Sequence, residues 1–105
     1  MPSKNIVRTD LNNLRRLNKS IRLVEAAIVD GGGHLLPEQL SKLRAKRDKI
    51  LERYREKINA LSLAESLIFT LYYQQGLTQS QVATKTNYCK SSITKHLSTI
   101  ISKIK

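Results

Sequence analysis

Cysteine and histidine, the side chains most suited to nucleophilic and transition-metal chemistry, are few in this chain: one cysteine, Cys89, and two distant histidines, His34 and His96. They do not make a metal-ligand set, because a metal site needs three or four such groups at close spacing. No nucleophile, base and orienting group fall together either, so the pattern points away from an enzyme and calls for no cofactor. Cys89 stands just before an expected helix start, where a thiolate is stabilised and a redox switch is conceivable. Its ordinary reading is a small residue at an N-cap, and His34 reads as a loop surface residue. A single cysteine excludes an internal disulfide and gives no sign of an oxidising compartment.

The abundant chemistry is positive charge. Nineteen Lys and Arg against eight Asp and Glu give a formal charge of +11. Self-repulsion of this size works against a compact state unless a polyanion is the partner. Nucleic acid is the commonest such partner, and an anionic membrane surface is the alternative. Residues 1–61 hold 14 basic and 7 acidic side chains, whereas 62–105 hold 5 and 1. No stretch approaches the roughly 20 apolar residues that span a bilayer, and the N-terminus does not resemble a signal peptide. The expectation is a cytoplasmic protein with no membrane partner.

Apolar spacing predicts five helices. The first runs over 10–29 with Leu14, Leu17, Ile21, Val24 and Ile28 as an a/d seam, capped by Thr9 or Asp10 and ended by Asp30 and Gly31-Gly32-Gly33. The second has Pro37 in its first turn and a stripe of Leu40, Leu43, Ile50, Tyr54, Ile58 and Leu61, interrupted by Arg47. Two such helices with a short Gly-rich connection read as an antiparallel, coiled-coil-like hairpin. Ser62 to Glu65 is a capping box, followed by an apolar helix with Leu63, Leu67, Ile68, Leu71 and Tyr72 that stops at Gly76. Thr78 to Gln81 is a second box. The last helix covers 90–104, with Ile93, Leu97, Ile100, Ile101 and Ile104 on one side.

Residues 77–97 carry the functional signal. They read as a short capped helix, a tight turn and a longer helix. Ala83 is small where two helices cross closely. Asn87 stands four residues on, where a positive φ is needed. Tyr88 follows as the apolar anchor of the turn. Ile93 and Leu97 point the second helix back into the core.

The stretch 61–104 resembles the region 4 domain of bacterial sigma factors. It is closer still to sigma-like regulators of phages and integrated elements, such as the RinA and ArpU families. The likeness rests on Glu65, Leu71-Tyr72-Tyr73, Gly76-Leu77-Thr78, Val82-Ala83, Asn87-Tyr88, Ser92-Ile93 and Leu97. It departs at Thr86, where the family has an apolar residue, and at Asn87, where it has Gly. The expected chain is all-α: a hairpin over 1–61 for dimerisation or packing, from its apolar spacing, then, as the resemblance implies, a three-helix helix-turn-helix DNA-binding domain over 62–105. The resemblance also implies a sequence-specific transcription regulator of phage or mobile-element origin, with double-stranded DNA and RNA polymerase as partners. Its last helix would lie in the major groove, with Lys90, Ser91, Ser92, Thr94, Lys95 and His96 facing bases or phosphates. Gln79 and Ser80 would meet phosphate through helix N-terminal N–H groups.

Three points stay open. Arg15, Arg16, Lys19 and Arg22 are either a solvated face or a second contact to the DNA backbone. Of the adjacent tyrosines, one belongs in the core and one at its edge, and the spacing places Tyr72 inward. Leu11, Leu23, Leu51 and Ile58 need cover, and Ile100, Ile101 and Ile104 exceed what a three-helix reader buries, so a homodimer is expected. A DNA-packaging protein like small phage terminase subunits, or a helical adaptor, are the alternative functions.

Overall fold

All regular secondary structure over residues 3–29, 31 and 36–105, the residues that the computed structural model describes, is helical, with no strand among them. The helices are α1 (Lys4–Val29), α2 (Leu36–Arg53), α3 (Arg55–Asn59), α4 (Leu63–Phe69), α5 (Gln79–Thr86) and α6 (Lys90–Ile104), with a π-helical segment, Thr70–Gln74, continuing α4. Among the described residues no helix is long and apolar enough to cross a membrane. Asp30, Gly32, Gly33 and His34 lie outside the described residues.

α1 begins six residues before its expected start. The Ser3 hydroxyl accepts from the Ile6 N–H at 3.3 Å, so Ser3 caps it and Thr9 and Asp10 do not. Its buried stripe is Val7, Leu11, Leu14, Asn18 and Ile21, a seam shifted towards the N-terminus. Asp10 is an interhelix anchor instead. Its carboxylate accepts from the Arg53 guanidinium at 2.8 Å and from the Tyr54 hydroxyl. Glu25 faces Arg44 at 3.9 Å further along. These two pairs make α1 and α2 run in opposite directions. Tyr54 leaves helical geometry (φ −113°, ψ 11°) and starts the short α3.

Both capping boxes form. The Ser62 and Thr78 hydroxyls accept from the Glu65 and Gln81 N–H groups, and the Glu65 and Gln81 side chains accept in return from the N-cap N–H groups. In α4 the inward residues are Glu65, Ile68 and Phe69. Leu63 and Leu67 precede Glu65 and Phe69 by two positions, about 200° round a helix, so they face out (92% and 49% exposed). Beyond Phe69 the Gln75 N–H reaches the Thr70 carbonyl at 2.8 Å, a five-residue step. That wider turn changes the register. Tyr73, not Tyr72, is the buried tyrosine.

One core runs through both halves of the chain. Val7, Leu11 and Leu14 of α1 join Tyr54, Leu61, Ile68, Phe69, Leu71, Tyr73, Val82 and the α6 residues Ile93, Leu97, Ile100, Ile101 and Ile104. Leu51 and Ile58 pack against it. The side chains expected to be surplus, Leu11 and the three C-terminal isoleucines, are therefore covered by their own chain, while Leu23 stays exposed.

Candidate nucleic-acid interface

α5 and α6 meet through Asn87, which takes the left-handed conformation at φ 62° and ends α5. Val82 anchors α5 in the core, and Ala83 packs beside it. The inward stripe of α6, Ile93, Leu97, Ile100, Ile101 and Ile104, fixes which way the helix faces. The outward side then carries Ser91, Lys95, Ser98 and Ser102 at steps of four and three, all exposed. Ser98 and Ser102 extend this face beyond the N-terminal residues of the helix that the sequence points to.

The expected residues fall into two groups. Lys90, Ser91, Thr94 and Lys95 are exposed on α6, and Ser80 is exposed on α5. Gln79 joins this side directly, because the Thr94 hydroxyl donates to its Oε1 at 2.8 Å. Ser92 and His96 are half-buried on the opposite flank of α6, where the His96 ring lies 5.5 Å from that of Tyr88. Tyr88 is 40% exposed, so it covers His96 rather than anchoring the turn in the core. Cys89 is exposed at the N-cap of α6. The Ser91 hydroxyl, 3.1 Å away, and then the Ser92 N–H hold its thiol below the ordinary value.

The electrostatics of this side are one-signed. No Asp or Glu occurs after Glu65. Glu65 itself is buried and bonded to the Lys103 ammonium at 2.8 Å, which together with the Ser62 N–H holds its carboxyl down at about 2. The outward face of α5 and α6 is thus a cationic, hydrogen-bonding surface of mostly small side chains. Among the described residues no three His, Cys, Asp or Glu side chains lie together as a metal site.

The basic residues of α1 do something sequence reasoning did not weigh. The Arg15 guanidinium donates to the Gly76 and Leu77 carbonyls at 3.3 and 3.1 Å, and lies 4.5 Å over the Tyr72 ring. Arg22 donates to the Gln75 carbonyl at 2.8 Å, and buried Asn18 to the Tyr73 carbonyl at 3.1 Å. Lys19 lays its stem on Gly76, where a Cβ would come within 3.0 Å of it and where φ is +73°. Carbonyls left open at the end of a helix need donors, and α1 supplies them. Arg15, Asn18 and Arg22 thereby fix the connection from which α5 starts. Arg16, also exposed, has no such contact among the described residues. α1 also brings Arg8 and Asn12 beside Gln79, Thr94 and Ser98; beginning α1 at Asp10 hid them.

No family model, curated protein or solved structure matches the chain.

Proposed function

We propose that the protein is a sequence-specific DNA-binding transcription regulator of phage or mobile-element origin that reads the major groove with α6. The observation that carries the reading is the α5–Asn87–α6 unit. Its outward side presents Lys90, Ser91, Thr94, Lys95 and Gln79, and the sequence after Glu65 contains no carboxylate. Lysine suits guanine O6 and N7, and Ser and Thr hydroxyls both donate and accept at base edges. Small residues such as Ser91 and Ser98 let the helix backbone approach the groove floor. Gln79 and Ser80 offer their backbone N–H groups at the start of α5 to a phosphate. His96 stands at the margin of this face, screened by Tyr88.

The same reading proposes contact with RNA polymerase, to which exposed Leu63 and Leu67 on α4 offer an apolar surface. Two copies would bind as a homodimer on paired half-sites. Leu11 and the C-terminal isoleucines are covered in-chain, so the reading puts that pairing on the DNA.

Selection of bound duplexes from a random DNA library, followed by sequencing, tests the reading. One enriched motif is the expected result. No enrichment, with ring-sized particles in microscopy, would favour a packaging protein. Absence of DNA binding at low salt would favour an adaptor.

A further inference from the structure

We propose that Arg8 and Asn12, one turn apart near the start of α1, are a second DNA contact that grips a backbone phosphate alongside α6. The proposal rests on the assignment of α6 as the reading helix. Arg8, Asn12, Tyr72, Gln79, Thr94 and Ser98 line a cleft of about 240 Å³ between α1 and α6. Among the described residues no carboxylate lines it. Asp10, the nearest acid in sequence, lies about 200° round the helix from both Arg8 and Asn12 and is held by Arg53 and Tyr54.

Arg8 differs from the other arginines of α1 that face the C-terminal half. Arg15 and Arg22 spend their guanidinium groups on carbonyls of residues 75–77. Arg8 is exposed and has no ion-pair partner among the described residues. A guanidinium presents a fork that fits two phosphate oxygens, and the Asn12 amide adds a neutral donor beside it.

Position selects phosphate over base. A helix seated in a major groove has a phosphate chain along each edge, so an element flanking that helix meets backbone. Arg8 and Asn12 belong to a different helix from Thr94 and Ser98 and flank them. The contact therefore adds affinity and fixes orientation without adding sequence preference.

The test is equilibrium binding of the full chain to a duplex carrying the selected motif, over a salt series and with single neutral methylphosphonates placed along the backbone. Arg8→Ala should weaken binding about 3- to 10-fold on both the selected and a scrambled duplex, and make the slope of log K against log[salt] shallower by about 0.9. One methylphosphonate that weakens wild type should have no effect on the variant. Arg8→Gln, which keeps the stem, carries the same expectation and guards against a folding defect. A wild-type slope and wild-type methylphosphonate pattern in both variants would overturn the Arg8 contact and leave the α6 assignment standing. Failure of the wild-type chain to bind any duplex at low salt would overturn both.

Discussion

Thr94 on α6 donates its hydroxyl to the Gln79 amide oxygen on α5 at 2.8 Å, the one side-chain bond between side chains of these two helices among the described residues. It ties the two outward faces to each other. Contacting residues couple energetically, whereas independent ones add. In DNA binding, Gln79→Ala and Thr94→Ala should therefore couple by about 0.5–1 kcal/mol in a double-mutant cycle. Additivity within about 0.3 kcal/mol would show that the two residues act separately.

Asn18 occupies a seam position of α1 where an apolar residue would pack well, and donates instead to the Tyr73 carbonyl at 3.1 Å. Removing the donor strands a buried acceptor, which costs about 1–3 kcal/mol. Asn18→Ala and Asn18→Leu should both lower stability in urea titrations by that order. An unchanged midpoint for Asn18→Leu would mean that the carbonyl finds another partner.

Glu65 sets the acid limb of stability. Its carboxyl falls from 4.5 to about 2 on folding, chiefly through Lys103 and then the Ser62 N–H. A depressed folded value means stability that is full above about pH 4.5 and drains away as pH falls towards 2. The loss should be on the order of 2–3 kcal/mol. Thermal unfolding from pH 6 down to pH 2 should show this for wild type. Glu65→Gln should be less stable at pH 6 and flatter across that window.

What was legible from the sequence was mostly local. The capping boxes at Ser62 and Thr78 depend on four consecutive residues, and Asn87 adopts its positive φ where a short polar side chain tolerates it. The buried face of α6 follows from spacing alone. The π-helical turn after Phe69 was not legible, because no side chain in Thr70–Gln74 announces a five-residue step, and it exchanged the places of Tyr72 and Tyr73. The start of α1 was missed because Val7 is a single apolar residue in a polar stretch, buried by contacts distant in sequence. The work of Arg15 and Arg22 was hidden for the same reason: their acceptors lie more than 50 residues away. Positive charge alone could not separate a carbonyl cap from a phosphate contact.

Ile100 is fully buried within its own chain. Truncating a buried isoleucine removes its transfer energy and leaves a cavity, costing about 2–5 kcal/mol. Ile100→Ala should lose that much stability independently of protein concentration. Sedimentation equilibrium of the free wild-type protein at micromolar concentration should give a single 12.0 kDa species. Twice that mass would show a free homodimer, for which Leu23, Leu63 and Leu67, the exposed leucines of α1 and α4, are the candidate contacts.

The central claim is that the outward face of α6 reads bases, and Lys95 stands in the middle of that face. The most direct measurement is the random-duplex selection run side by side with wild type and Lys95→Ala. Wild type should enrich one motif. The variant should retain it with preference relaxed at a single base pair and affinity lower by about 1–3 kcal/mol. A wild-type chain that enriches no motif, or a motif that Lys95→Ala and Thr94→Ala both reproduce with unchanged affinity, would contradict the account.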